Sequence, residues 1–226
     1  MIELRNVSFA YNGKAILENL SLQVNKGDFA VLVGNTGTGK TTVIQLLTGE
    51  LLPSSGEVLV GSTRVDRLSK SKLASYRRSI GIISEQIGLL EEKNVAENVA
   101  LPLEIAGKDG KDTIKENVAA SLETVNLETK GTSSPKELSL GEYQRAAIAR
   151  ALITEPLVLI GDCPTQRLDR QSAIEVMFIL AEQNVRGMTI LLTMPELSEP
   201  GLFPQKTMFY RFDHGSVHRF LPETQE

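Results

Sequence analysis

The sequence predicts an α/β protein with a mainly parallel sheet, an antiparallel β subdomain at the N-terminus and an inserted α-helical subdomain. Three observations predict it. Short apolar runs typical of buried strands alternate with amphipathic stretches. A glycine-rich loop at 34–41 joins one such strand to a helix, and the pattern between 94 and 152 is mainly helical. We therefore expect a single domain over 1–226, with a core at about 1–84 and 155–226 that contains the glycine-rich loop and a helical insertion at about 86–150.

The first part of the chain predicts strands on both sides of a turn. The turn is Asn12-Gly13, which separates strands at 2–11 and 21–24. The run 29–33 is entirely apolar and predicts a buried strand that enters the loop. A helix should begin at Lys40 and end near Gly49, and further strands are expected at 57–60 and 79–83.

The second part predicts helices first and core strands afterwards. Apolar residues recur at helical spacing, with a break at 107–110: Val95, Val99, Leu103, Ile114, Val118, Leu122 and Val125. Strands are then predicted at 157–161, 188–193, 207–212 and 216–220, with a helix over 171–180. This order predicts a helical insertion within a parallel sheet.

The loop at 34–41 fits the phosphate-binding pattern at every fixed position. Its glycines allow backbone N–H groups and the helix N-terminus to approach an anion closely. Lys40 adds a charge that can reach the β- and γ-phosphates, and the Thr41 hydroxyl can ligate Mg²⁺. A chance glycine-rich turn explains an eight-residue match between a strand and a helix poorly. The candidate nucleotide-binding residues are Gly34, Asn35, Thr36, Gly37, Thr38, Gly39, Lys40, Thr41 and Thr42.

Composition restricts the possible partners. The 226 residues carry a net charge of -4 and a pI near 5.4, which argues against a nucleic-acid partner. No apolar run reaches the length of about eighteen residues that a membrane span needs, and the first residues lack a signal peptide's apolar stretch, so a cytoplasmic location is expected. One cysteine and two histidines allow no internal disulfide and predict no metal cluster.

A second motif begins at Ser139. Ser139 and Glu142 form a Ser-x-x-Glu capping box, which an ordinary capped helix explains equally well. The strand predicted at 157–161 leads directly to Asp162. Together with the loop at 34–41, these segments make the chain resemble the ATP-binding-cassette (ABC) ATPases from end to end. In that family the signature, here Ser139, Leu140, Gly141 and Glu142, caps ATP held by the opposite subunit.

The resemblance implies roles for three further residues and implies ATP and Mg²⁺ as cofactors. Tyr11 matches the aromatic residue that stacks on adenine, although it could be a strand-end aromatic. Asp162 matches the Walker B carboxylate that holds Mg²⁺, together with Thr41. Asp169 matches the loop that crosses the dimer interface, although it could equally be a helix N-cap.

The departures from the family pattern fall at the catalytic positions. Cys163 stands where the family has the glutamate that polarises water, and we expect a small buried hydrophobe there rather than a reactive thiol. Pro195 occupies the place of the switch histidine and provides no donor. Glu85 replaces the loop glutamine; it could ligate Mg²⁺ but would repel the γ-phosphate, and Gln86 could serve after a one-residue slip. Leu140 replaces the first signature glycine.

Three segments are most similar to the cell-division FtsE branch, close to the lipoprotein-release LolD and macrolide-export MacB ATPases: 80–83, 101–107 and 148–151. This likeness implies a homodimer or an ABC-type heterodimer. It also implies an FtsX-like permease docked on the groove between the core and the insertion, which would place the chain on the inner face of the cell membrane.

Two functions remain open. The residues predict Mg-ATP binding with weak hydrolysis, as in an ATP-operated scaffold. The alternative is a hydrolysis-competent ABC motor that the partner or other residues complete. A P-loop kinase or GTPase is disfavoured because the segments around Ser139 and Asp162 fit neither.

Overall fold

The computed structural model describes residues 1–84, 87–107, 109–195, 200–213 and 215–222. In chain order, the strands and α-helices are β1 (Ile2–Tyr11), β2 (Lys14–Val24), β3 (Phe29–Val33), α1 (Lys40–Leu47), β4 (Ser55–Val60), β5 (Thr63–Arg64), α2 (Lys70–Arg78), β6 (Gly81–Ile83), α3 (Val95–Ala106), α4 (Lys111–Thr124), α5 (Leu140–Leu152), β7 (Val158–Asp162), α6 (Arg170–Val185), β8 (Thr189–Met194), β9 (Met208–Asp213) and β10 (Ser216–Phe220). The predicted α/β class is confirmed.

An antiparallel sheet of order β2-β1-β4-β5 forms the N-terminal subdomain. Asn12 and Gly13 form the predicted turn with φ values of 49° and 81°, as in a tight hairpin turn with two left-handed residues. The strand predicted at 21–24 begins earlier, at Lys14, and pairs with β1 along its whole length. Register shifts interrupt this pairing between Leu4 and Ala10. Buried and exposed side chains therefore do not alternate regularly, and the sequence does not show the pattern of a strand over 14–20.

A six-stranded sheet of order β10-β9-β3-β8-β7-β6 forms the core, and all neighbours except the β9–β10 pair are parallel. The sheet is covered on both faces. Phe29, Val31 and Val33 pack against α3 to α6, whereas Ala30 and Leu32 pack against α1 and the N-terminal sheet. Burial on both faces explains why β3 is apolar at every position.

Strand order places the carboxyl ends of β3, β8 and β7 side by side. Val33 pairs with Met194, and Asp162 pairs with Thr193. The loop after β3, the end of β7 and the end of β8 therefore meet at one edge of the sheet, where open α/β sheets bind ligands.

The helical segments of the insertion agree with the predicted pattern, and Gly107 ends α3 with φ 62°. Asn98, inside α3, is fully buried. Its Oδ1 accepts from the Leu90 N–H at 2.7 Å, and its Nδ2 donates to the carbonyls of Leu90, Lys93 and Asn94 at 3.0–3.1 Å. This side chain fixes the segment that enters α3.

The expected strand at 79–83 is wrong in its first two residues, because Ser79 is the C-cap of α2 and β6 starts at Gly81. Helix α2 was not predicted. Its packing depends on Tyr76, whose hydroxyl donates to the Leu47 carbonyl at 2.6 Å. No helix in the described part of the chain is long and apolar enough to cross a membrane.

Candidate nucleotide site

A cavity of about 300 Å³ lies at this edge of the sheet. It brings together ten of the residues predicted for the site: Tyr11, Thr36, Gly37, Gly39, Lys40, Thr41, Thr42, Asp162, Cys163 and Pro195. Among the residues that the structure describes, Ile16 and Gln166 also line it. Residues far apart in the chain thus share one wall, as the strand order requires.

Glycines are required in the loop for two different reasons. Gly37 and Gly39 have φ values of 82° and 109°, which other residues rarely adopt. Gly34 has no such angle, but a Cβ there would lie 2.3 Å from the Phe212 carbonyl oxygen. The first glycine therefore allows β9 to pass directly against the loop.

Lys40 is buried beneath the loop. Its Nζ donates to the carbonyls of Gly34 at 2.6 Å and Asn35 at 2.8 Å, and burial lowers the pKa of its ammonium group. Asn35 also accepts from the Thr38 hydroxyl at 2.8 Å, which closes the turn. The loop backbone is thus held in a curve around the lysine.

Two hydroxyl groups orient Asp162. Thr41 Oγ1 donates to Asp162 Oδ2 at 2.8 Å, and the buried Thr193 Oγ1 donates to Oδ1. A hydroxyl oxygen and a carboxylate oxygen side by side are ligands that Mg²⁺ prefers, so the residues present fit this ion. Thr193 was not predicted; its one signal is a polar residue directly after the apolar run 190–192 of β8.

The Ser139 motif is a complete capping box. Ser139 N–H donates to Glu142 Oε2 at 2.8 Å, and Glu142 N–H donates to Ser139 Oγ at 3.2 Å. The bond from Ser139 and an ion pair with Lys130 at 3.0 Å lower the pKa of Glu142. The capped-helix interpretation thus describes this chain, and these two residues do not line its own cavity.

The other two signature positions differ in exposure. Leu140 is 52% exposed, whereas Gly141 is buried against α6. A Cβ at Gly141 would lie 2.5 Å from Ser172 Oγ. Ser172 in turn donates from N and Oγ to the Asp169 carboxylate at 3.0 and 2.6 Å, so Asp169 is the N-cap of α6, and these bonds lower its pKa.

Tyr11 lies at the rim of the cavity and is 43% exposed. Its ring packs edge to face on Phe9 with centroids 4.7 Å apart, and its hydroxyl donates to Gln45 Oε1 at 3.2 Å. One face of a fixed ring is therefore available to a planar ligand.

Comparison with known proteins identifies the family. The model of the ABC transporter family matches residues 17–166, which is more than half of the chain. The chain belongs to the ABC transporter family. The FtsE resemblance is also confirmed, because the cell-division ATP-binding protein FtsE of Mycobacterium tuberculosis is 39% identical over 194 residues, covering 85% of this chain and 84% of FtsE.

Two other members of the ABC transporter family are informative. The methionine import ATP-binding protein MetN of Carboxydothermus hydrogenoformans is 38% identical over 87% of this chain, which spans 59% of the MetN length. The dimeric, post-hydrolysis structure of the ATP-binding cassette MJ0796 bound to ADP and Pi has a TM-score of 0.86 at 27% identity, with 97% of both chains covered.

Within this ABC fold, Cys163 lies beside Asp162 on the cavity wall. It has a left-handed φ of 48°, and its N–H donates to the Thr193 carbonyl at 3.1 Å and to Thr193 Oγ1 at 3.2 Å. Burial raises the pKa of its thiol, so the group is neutral near pH 7. We expected a buried side chain at Cys163. It is only half-buried, because it faces the cavity.

Pro195 also lines the cavity, whereas the neighbouring Met194 lines a separate cavity with Leu168. Glu85 and Gln86 lie outside the described residues. Gln166, which is exposed and follows Cys163 in a tight turn, was not predicted as a site residue. Its only signal is proximity in sequence to Asp162.

Proposed function

We propose that this chain is the ATP-binding subunit of an ABC-type membrane complex, which binds Mg-ATP, dimerises around it and hydrolyses it slowly. One observation carries the proposal: a complete phosphate loop and the Thr41–Asp162 pair share a cavity with Cys163 and Pro195. The binding groups are present, and the groups that activate water are replaced.

Binding uses groups whose positions are already fixed. The loop amides and Lys40 would hold the phosphates, Tyr11 would stack on the base, and Thr41 and Asp162 would hold Mg²⁺. The ion would neutralise charge on the phosphate oxygens. None of these groups needs to be supplied by another chain, so we expect the isolated subunit to bind Mg-ATP.

Hydrolysis is a different matter. A positioned general base contributes about a hundredfold to ten-thousandfold, and the neutral thiol of Cys163 cannot act as that base. Pro195 lacks both a side-chain donor and a backbone N–H, and one lost donor to developing charge costs about a hundredfold or more. Slow turnover follows from these two replacements.

Dimerisation would complete the site. Ser139 and Gly141 do not line their own chain's cavity, so a second copy or a related cassette would present them to the γ-phosphate. The family relation to FtsE supports an FtsX-like permease as membrane partner, docked on the groove between core and insertion. The insertion side of the chain exposes the apolar side chains of Ile87, Leu90 and Ile105, which such a partner would cover.

The alternative is a hydrolysis-competent motor that drives a transporter or an FtsX-type permease. The similarity to a methionine import protein favours it, as does the structural match to a cassette in a post-hydrolysis state. In that case the partner, or a residue outside the family pattern, would orient the water.

The test compares Mg-ATP binding and phosphate release by the unmodified chain, Cys163→Glu and Cys163→Glu/Pro195→His. The matched control is Cys163→Glu/Met194→His, which moves the imidazole to the adjacent cavity. We expect tight binding throughout, slow release by the unmodified chain, and a large increase in release only in Cys163→Glu/Pro195→His. Fast release by the unmodified chain would favour the motor.

A further inference from the structure

One polar side chain in the wall of the nucleotide cavity has no assigned role. Gln166 lines the cavity together with Thr41, Asp162 and Cys163. Within the described part of the chain its carboxamide has no hydrogen-bond partner, whereas Thr41 and Asp162 bind each other. An exposed amide beside the metal-binding pair is therefore free to bind a ligand or water.

The backbone holds Gln166 in this position. Gln166 N–H donates to the Cys163 carbonyl at 3.0 Å, which closes a turn over 163–166. Cys163 enters the turn with a left-handed φ of 48° and is anchored by two bonds to Thr193. Buried Pro164 lies inside the turn. Because β7 leads into the turn and β8 anchors its first residue, the side chain at 166 starts from a defined point on the wall.

We infer that Gln166 orients the attacking water at bound Mg-ATP, in place of the glutamate that Cys163 replaces. This inference rests on the proposed function and names the residue that supports the remaining, slow hydrolysis. A carboxamide suits the task because Oε1 accepts a hydrogen bond from water and Nε2 can donate to a phosphate oxygen. Other P-loop enzyme classes orient water with a glutamine in this way.

The step needs no proton acceptor on the protein. The water oxygen forms a bond to the γ-phosphorus while the bond from that phosphorus to the bridging oxygen breaks, and its electron pair remains on ADP. A proton of the water passes to an oxygen of the phosphate that forms. The amide neither gains nor loses a proton, so it supplies orientation without general-base catalysis, and the resulting turnover is slow.

The test is Gln166→Leu, which keeps the size of the side chain and removes both polar atoms. The matched control is Gln205→Leu, at an exposed glutamine outside the cavity lining. Mg-ATP affinity and phosphate release are measured for each variant, with Lys40→Ala as the background for contaminating activity. We expect Gln166→Leu to lower release about tenfold to a hundredfold with unchanged affinity, and Gln205→Leu to change neither.

A second arm uses Cys163→Glu/Pro195→His, the variant in which release is expected to increase. The glutamate supplies its own base, so Gln166→Leu should reduce release less in that background than in the unmodified chain. A purely structural role for Gln166 would instead lower the affinity or the melting temperature in both backgrounds.

The outcomes separate the two proposals. No Mg-ATP binding by the unmodified chain would contradict the proposed function. Intact binding with equal release by Gln166→Leu and the unmodified chain would overturn the role of Gln166 alone. The same conclusion would follow if release by the unmodified chain did not exceed that of Lys40→Ala.

Discussion

Replacing Thr193 with valine should weaken Mg-ATP binding, although Thr193 is too deeply buried to touch a ligand. Its hydroxyl donates to Asp162 Oδ1, while Thr41 donates to Oδ2. Valine has nearly the same shape and removes one of these two donors. Asp162 would lose the bond that fixes its orientation, and Cys163 would keep its bond to the Thr193 carbonyl.

The size of the effect follows from these contacts. A hydrogen bond to a charged group contributes about 1.5–3 kcal/mol, so the free energy of unfolding should fall by about that amount. Loss of a residue that orients a metal ligand lowers metal affinity by about tenfold to a hundredfold. We expect a decrease of that size in the affinity for ATP measured with Mg²⁺, and little change with chelator present.

Thr189→Val provides the matched control. Thr189 is fully buried in the same strand, β8, and its Oγ1 accepts from the Gly27 N–H at 2.9 Å, far along the strand from Asp162. This substitution should lower the free energy of unfolding by a similar amount, about 1–3 kcal/mol, because valine leaves the Gly27 N–H without an acceptor. Isothermal titration with Mg-ATP and with ATP plus chelator distinguishes the two variants. An equal Mg²⁺ dependence in both would refute the role assigned to Thr193.

Asn98→Leu should lower the free energy of unfolding by about 2–4 kcal/mol in urea titrations, because the four hydrogen bonds of the buried Asn98 side chain are lost. The control is the cap variant Asn94→Ala, which should cost about 1 kcal/mol. A smaller loss in Asn98→Leu than in Asn94→Ala would contradict the prediction. The hydrogen bonds from Arg64 lower the pKa of Asp66, so its contribution to stability is present above about pH 4 and is lost as pH falls through the folded pKa. The free energy of unfolding, measured by urea titration between about pH 5 and pH 3, should therefore depend less on pH in Asp66→Asn than in the unmodified chain. Burial raises the pKa of the Cys163 thiol, so mass spectrometry should show slow alkylation by iodoacetamide at neutral pH, faster reaction at alkaline pH and protection by Mg-ATP; rapid labelling at neutral pH would show that the thiolate is present.

Much of the fold could be predicted because the strongest patterns are local. The apolar run of β3 and the glycines of the loop that follows identify strand, loop and helix without knowledge of any neighbour. Helix α2 could not be identified with the same ease, because polar and basic residues dominate it and only Tyr76 is buried. Its position depends on a hydrogen bond to α1 that no local pattern encodes.

The residues of the candidate site also divide into those that a local motif predicts and those that depend on the fold. Lys40, Thr41 and Asp162 belong to motifs with fixed spacing, so the sequence predicts them directly. Thr193 and Gln166 depend on which strand lies beside β7 and on how the chain turns after Cys163. Such relations between neighbouring strands appear only when the sheet order is known.

The close approach of Gly141 to Ser172 ties two parts of the subunit together. Ser172 fills the space that a side chain at 141 would need, and it also holds the Asp169 carboxylate at the start of α6. A shift of the start of α5 would therefore displace Ser172. The Asp169 carboxylate, at the end of the segment 162–169, would move with it.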